Sequence, residues 1–418
     1  MLPAQWAALD RRVWQMAFAR SINTMGLSLV MAFLGVYIVE HRGYPAWQYG
    51  VVALLANVCQ SLSNAWAGNL SDRIGRRPLI TRALFVRSAF IALLGTQVLI
   101  DAPLWLLGIN MVVTSSLRGC FEPVAYALVA DVARGEQRIA AFGIQRMGTN
   151  LGWALGPALG GLLTLFMPYG AVFFIAAAGM VVAGVMTLRI EDPVRRMETG
   201  PVPRIDLHDS LREAFRDRTM RLLLVATFLC AVLQTQMFST FSIYMTDKVG
   251  LTKADVGLLY TINGAGVLLL QLPALGLLRR LGVRTVLPWA SLLDAISFAA
   301  IGFASGFGGA AMAMAMLTSA EVLFDPAHQT AVAEMTDPTH RGRVFGVVGF
   351  SQMIGVAIAP LIGGVLLDTI GDDHAAMWAT IATIGAAQTL CLFAFIRRRH
   401  PQHDVKPMIA MARRDPKV

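Results

Sequence analysis

Four charged residues sit where charge is expensive. Arg118 and Glu122 fall one helical turn apart inside an apolar run, and Glu321 and Asp325 do the same in a later run. An ionisable side chain inside a membrane-length apolar segment is costly, so each is a functional candidate by default. Arg118 and Glu122 share a helix face, a spacing that allows an internal ion pair. Glu321 and Asp325 also share a face. Two carboxylates in a low-dielectric site cannot both ionise cheaply, so they are expected to titrate as a unit. His328 lies three residues beyond Asp325, within its reach. Glu122, Asp325 and Glu321 are therefore candidate proton carriers, with Arg118 balancing charge when they deprotonate. The competing role is a static charge network that fixes packing.

Both pairs belong to one long repeat. The stretch from Arg118 to Leu163 recurs without a gap from Glu321 onward. At one constant offset Phe121 meets Phe324, Pro123 meets Pro326, Arg138 meets Arg341 and Gly143 meets Gly346. Further on, Gly152, Pro157, Gly160 and Gly161 meet Gly355, Pro360, Gly363 and Gly364. A shared register of this length implies two copies of one structural unit. In a membrane protein, two such halves place a site between them near the bilayer midplane.

The elements that carry these residues are membrane helices. The chain has 418 residues, 56% hydrophobic and 15% charged, with mean hydropathy +0.59. That is too apolar for a soluble enzyme, whose surface needs charge. Apolar stretches of roughly 20 residues recur, the length that crosses a bilayer as a helix. The first lacks a small-residue cleavage site and reads as a retained helix rather than a signal peptide. Twelve spans are expected, at 13–39, 46–68, 78–100, 103–131, 138–166, 168–189, 220–246, 253–278, 284–304, 307–333, 342–367 and 374–396.

The fold class is thus an all-α membrane protein with twelve transmembrane helices in two six-helix pseudo-symmetric bundles. The bundles are expected at 1–189 and 220–396. A cytoplasmic linker, 190–219, joins them and carries a short amphipathic helix with Leu207, Leu211 and Phe215 on one face. A basic tail covers 397–418. Arginines crowd one set of helix ends, including Arg73, Arg76, Arg77, Arg279, Arg280 and Arg397, so that set and both termini are expected in the cytoplasm.

Several classes are excluded. The net charge of +9 is no sign of nucleic-acid binding, because the basic residues lie in short loops. The four cysteines form no CxxC pair and read as packing residues. There is no Walker A loop, HExxH or GxSxG, and no acid cluster spaced like an EF-hand. An enzyme is not expected, nor a cofactor or a metal.

Two motifs name a family. Gly68 to Leu79 reads GNLSDRIGRRPL, which resembles the loop signature of the major facilitator superfamily at every defining position. Gly68 allows close helix approach, and Gly75 permits a tight turn. Asp72 can accept hydrogen bonds from a helix N-terminus or an arginine. The resemblance implies that this loop, with Gly68, Asp72, Arg73, Gly75, Arg76 and Arg77, latches the halves in an outward-facing state. Asp131 would join that charge network. The second-half counterpart keeps Gly282 but has Arg279 in place of the aspartate. Span five carries Gly152, Gly156, Pro157, Gly160 and Gly161, which resembles the family's antiporter signature and its association with export. The chain as a whole resembles the drug:proton antiporter branch. That implies proton-coupled export of small amphipathic compounds across the bacterial cytoplasmic (inner) membrane, with small-molecule substrate, protons and the lipid bilayer as partners. A monomer is expected.

The chain departs from the branch in two places. Glu122 stands where the family's span-four motif has a glycine, four residues after the arginine. Span one has no acid and carries Arg20 and Asn23 instead. Arg20 can bind an anionic group or snorkel to the interface; both readings stay open. Candidate cavity residues are Arg20, Asn23, Tyr37, Gln145, Asn150, Gln234, Phe238, Phe241, Asn263 and His328, with Asn57, Gln60, Asn64, Gln236, Tyr260 and Gln352 as further lining. Any of them can instead be helix-to-helix glue. Arg87 and Asp294 form another symmetry-related pair, expected to make structural contacts with neighbouring helices. Uptake symport, lipid translocation and a non-transporting receptor are the competing functions.

Overall fold

The computed structural model describes residues 9–133, 137–191, 215–335 and 341–398. Twelve helices follow one another: α1 Arg11–Val36, α2 Ala46–Ile74, α3 Arg76–Leu99, α4 Leu104–Val132, α5 Gln137–Leu163, α6 Tyr169–Leu188, α7 Arg218–Asp247, α8 Lys253–Leu281, α9 Val283–Ile301, α10 Phe307–Ala333, α11 Arg341–Ile370 and α12 His374–Arg398. A π-helical turn, Tyr37–His41, prolongs α1. At 1.5 Å per residue these lengths match a hydrocarbon core of about 30 Å. Each expected span is present. The tail from residue 399 and most of the expected linker, with its amphipathic helix, lie outside the described residues.

Local chemistry sets the helix starts. Asp10 and Asp217 cap α1 and α7 by accepting from the amides of Arg12 and Thr219, both at 2.8 Å. Thr252 and Asp255 form a reciprocal capping box on α8. The GNLSDRIGRRPL signature is less of a loop than expected. Helix α2 continues to Ile74, and the only break before α3 is Gly75, with φ +97°. Gly282 makes the equivalent break between α8 and α9 with φ +76°. A residue with a Cβ rarely adopts such angles, so both breaks need glycine.

The packing repeats. In the first bundle α1 packs on α5 and α6, α2 on α4, and α3 on α4 and α6. Adding six to each number gives the second bundle: α7 on α11 and α12, α8 on α10, and α9 on α10 and α12. Between bundles α2 packs on α11, α5 on α8, and α1 on α7, a set that maps onto itself under the same exchange. This is the pseudo-twofold arrangement that the sequence repeat implies.

Ten of the described helices are long and apolar enough to cross a membrane. The other two are α2 and α5. Their polar residues, Gln60, Ser63 and Asn64 on α2 and Gln145, Arg146 and Asn150 on α5, explain the shortfall. Both helices lie at the junction between bundles, where polar side chains face protein or cavity rather than lipid.

Candidate functional site

The two bundles meet along half of their height. At the helix ends opposite the arginine-rich set, the contact is backbone to backbone. A Cβ on Gly161 of α5 would lie 2.3 Å from the Lys253 carbonyl oxygen of α8, and one on Gly364 of α11 2.5 Å from that of Ala46 of α2. Gly50 and Gly257 return the contact, against Pro360 and Pro157. Asp368 of α11 then accepts from the Ala46 and Trp47 amides at 2.9 and 2.7 Å, capping α2 from across the junction. Toward the arginine-rich ends the bundles separate. A Cβ on Gly68, Gly143, Gly276, Gly346 or Gly349 would meet nothing within 4 Å, and Trp66 is 77% exposed. The protein is closed at one end and open at the other.

The antiporter-like signature makes two kinds of contact. Gly152, Gly156 and Gly160 seat α5 on α1, against Thr24, Ser28 and Leu29. Ser28 donates to the Gly152 carbonyl at 2.9 Å. Gly161 faces the other bundle. The second copy does the same: Gly355 and Gly363 seat α11 on α7, and Gly364 reaches α2. In each bundle the last motif glycine therefore receives the start of the partner bundle's second helix.

The membrane acid of the first bundle, Glu122, is paired within its bundle, though not as the spacing suggests. Glu122 takes Arg20 of α1, and not Arg118, as its ion-pair partner. The Arg20 guanidinium also lies 3.8 Å from the Tyr126 ring centroid. Arg20 is 1% exposed, so it neither snorkels nor faces the open junction. Asn23 is equally buried and accepts from Arg87 at 2.9 Å. Helix α1 supplies these groups because its middle is enclosed by α5, α6 and α7.

The acids of the second bundle face the junction. Glu321 accepts from Asn263 of α8 at 3.0 Å. Asp325 lies 3.8 Å from Arg146 of α5, an ion pair that crosses from one bundle to the other. Arg146 is 52% exposed on its side chain, so it stands in the opening. His328 does not turn to Asp325. Its Nε2 pairs with Thr227 Oγ1 at 2.8 Å, and its ring stacks on Phe324.

The bundle equivalences explain the difference. Ser21, Thr24 and Met25 surround Gly152 as Phe228, Ala231 and Val232 surround Gly355. In that register Thr227 occupies the place of Arg20, and Cys230 the place of Asn23. Asp325 consequently has no counterpart of the Arg20 cation within its bundle.

Aromatic residues also meet at the junction. Trp153 of α5 and Phe238 of α7 meet across the junction at 4.9 Å between ring centroids, and Phe238 stacks on Tyr260 of α8. Phe238 is 40% exposed, whereas Phe241 and Tyr260 are buried behind it. Asn150 and Gln234 are half-buried. Gln145 is wholly buried and donates to the Val13 carbonyl at 2.9 Å, which fixes α5 to α1. Tyr37 is far along α1, donating to Asp101 at 2.8 Å or to the Val98 carbonyl at 3.0 Å. Arg20, Asn23, Tyr37, Gln145 and Phe241 are thus packing residues in this conformation and do not line an opening.

At the signature, Arg76 of α3 pairs with Asp131 of α4 and donates to the Ala127 carbonyl. Arg77 donates to the Leu188 carbonyl at 2.6 Å. These bonds stay within the first bundle. The side chain of Asp72 lies outside the described residues. Arg146, Trp153 and Asp368 were missed by sequence reasoning. Arg146 has a visible signal, an arginine within an apolar span. Asp368 has none, because its cap depends on a helix from the other bundle.

Such a construction, two repeated bundles meeting at a polar junction, is that of a class of membrane transporters. A sequence model of the Major Facilitator Superfamily matches residues 16–244 and 223–416. The chain belongs to that family. It is 25% identical to the uncharacterised MFS-type transporter YqjV of Bacillus subtilis, over 88% of this chain and 89% of that protein. It is 27% identical to the multidrug resistance protein MdtH of Aeromonas hydrophila, over 91% and 94%. Among solved structures, the nucleoside transporter NupG superposes with TM-score 0.77 at 12% identity, covering 93% of this chain and all of that one; this likeness concerns the fold.

Proposed function

We propose that the protein is a proton-coupled exporter of small amphipathic organic compounds, working by alternating access in a bacterial cytoplasmic membrane with both termini inside. On that orientation the described conformation is open to the cytoplasm and closed to the outside. The observation that carries the reading is the pair Glu321 and Asp325, with Arg146 of the other bundle 3.8 Å from Asp325 and half-exposed. A proton from outside would discharge one of these acids and release Arg146. Substrate would bind between the aromatic and acidic groups. A proton or substrate shifts the two conformations only through unequal affinity for them, and an acid such as Asp325, whose partner sits on the other bundle, provides that inequality. Glu122 is assigned the role of fixed counter-charge to Arg20, in place of the proton-carrying role its sequence position suggests. MdtH, a relative by sequence, is named for multidrug resistance, which supports export.

Lipid or lysophospholipid translocation, for which Arg20 and Arg118 would be the anion partners, is less well supported, because Arg20 is occupied by Glu122 and Tyr126. Uptake symport differs in direction. The test is transport of ethidium, a fluorescent amphipathic cation, in liposomes of known orientation with an imposed proton gradient. Movement toward the acidic side that is lost in Asp325→Asn is expected. Movement indifferent to the gradient in the parent would end the proton-coupled reading, and movement with the protons would replace export by uptake.

A further inference from the structure

Arg87 of α3 is buried to 1% exposure within the first bundle. Its Nη1 donates to the Asn23 side chain of α1 at 2.9 Å. Its Nε and Nη2 have no hydrogen-bond partner among the described residues. Those two nitrogens form one edge of the guanidinium, the fork that grips an anion with two parallel bonds. Arg12 shows the same edge in use: its Nε and Nη2 donate to the Asp10 carboxylate at 3.1 and 2.7 Å. Arg87 presents that fork inside the protein.

The balance of charge points the same way. The middles of α1, α3 and α4 carry Arg20, Arg87 and Arg118, whereas the middles of all six helices of this bundle carry one acid, Glu122. Glu122 is taken by Arg20, and Asp131, at the end of α4, by Arg76. Asn23, the partner of Arg87, is neutral. Arg20 lies one turn before Asn23 on α1 and keeps its own Nε and Nη1 unpartnered. Arg118 lies one turn before Glu122 on α4, and its Nε is unpartnered too. The contacts that run from Glu122 through Arg20 and Asn23 to Arg87 thus gather an excess of positive charge. An uncompensated charge in such a place is costly. A carboxylate can escape the cost by taking up a proton. A guanidinium cannot shed one in a protein, so the remedy open to Arg87 is a counter-ion.

We propose that the first bundle holds a small monovalent anion on the Nε–Nη2 edge of Arg87, either an inorganic ion such as chloride or a carboxylate of acetate size. Enclosure sets the size. Arg20, Asn23 and Arg87 are each 1% exposed, which excludes a lipid headgroup or a bulky substrate. The site belongs to one bundle, whereas the Arg146–Asp325 pair spans both. The inference is therefore independent of the direction and the coupling of transport. Because α1, α3 and α4 move together, the anion keeps its place as the bundles move and supplies the counter-charge that the sequence of this bundle lacks.

The test is the thermal unfolding midpoint of the full chain in detergent at constant ionic strength, with chloride or acetate replacing isethionate, a sulfonate too bulky for the site. The parent's midpoint should climb with the logarithm of the concentration of at least one of the two small anions. The climb should be lost in Arg87→Gln and in Arg87→Met. A parent midpoint indifferent to both anions overturns the proposal. So does a climb that persists in both variants, which would be a general effect of salt. The anion that produces the climb separates an inorganic ion from a carboxylate. If neither variant folds, crystals of the parent grown in bromide and in acetate decide. An anomalous bromide peak or a planar acetate density at the Arg87 fork supports the proposal, and a fork that holds neither overturns it.

Discussion

Arg87 and Asp294 hold equivalent places in the two bundles, yet one donates to Asn23 and the other has no partner for either oxygen. Glu122 and Asp325 repeat the contrast. Glu122 is held within its own bundle by Arg20, while Asp325 must reach across to Arg146. The same backbone plan therefore carries two electrostatic designs. Paired charges in the first bundle keep the same partners as long as that bundle stays rigid. Acids whose counter-charge lies on the other bundle change partners whenever the bundles move. A duplicated fold can in this way give one copy to scaffolding and the other to coupling.

The sharpest way to break the comparison is to remove one partner in the first bundle. Glu122→Gln leaves Arg20 buried without its counter-charge, which costs about 3–5 kcal/mol. The expected result is a large fall in the thermal unfolding midpoint in detergent. Asp325→Asn removes a junction-facing acid whose partner Arg146 is half-exposed, and should leave that midpoint near the parent's. Equal falls would mean that the bundles do not differ in the way described.

Much of this plan was legible in the sequence. The repeat register fixed which residues are equivalent, and the apolar runs placed all twelve helices, because lipid demands length and apolarity of every span. Spacing within a helix could not say which neighbour a charge would choose. Arg118 stands one turn from Glu122, but Arg20 reaches it from α1 and takes it. Nor could spacing separate the polar residues that face the opening from those, such as Gln145 and Asn23, that fasten helices. That division depends on which helix packs on which, and on the conformation the bundles adopt.

The two ends of the molecule offer a second contrast, of smaller expected effect. Gly161→Ala would push a Cβ to 2.3 Å from the Lys253 carbonyl at the closed end, while Gly143→Ala at the open end would meet nothing. Overpacking of this kind costs about 1–3 kcal/mol, and only the closed end bears it. Spin-label distances between α5 and α8 should show Gly161→Ala shifted toward opening at that end and Gly143→Ala unchanged. Asp368→Ala removes the cap on α2 from the same end and should shift the same equilibrium by about 1 kcal/mol. If Asp368→Ala left those distances as in the parent, the cap would be a consequence of closure and not one of its causes.

The smallest effect belongs to Lys248 and Asp372, joined at 2.7 Å beyond the ends of α7 and α11. The Lys248 hydrogen bond holds the Asp372 carboxyl below the usual carboxylate range, and Asp372 in turn raises the Lys248 ammonium above its own. A depressed carboxyl contributes stability above its ordinary pKa and loses it as pH falls through the depressed value. A raised ammonium contributes below its ordinary pKa and loses it as pH rises through the raised value. The pair is therefore intact across the neutral range and fails at both extremes. Because Asp372 is fully exposed, water and salt screen the contact. Lys248→Gln should change the unfolding midpoint slightly at neutral pH and low salt, and not at all in high salt or strong acid. A shift as large as that of Glu122→Gln would show that an exposed pair outside the bundles matters as much as a buried one within them, and the contrast between enclosed and open charges would lose its physical basis.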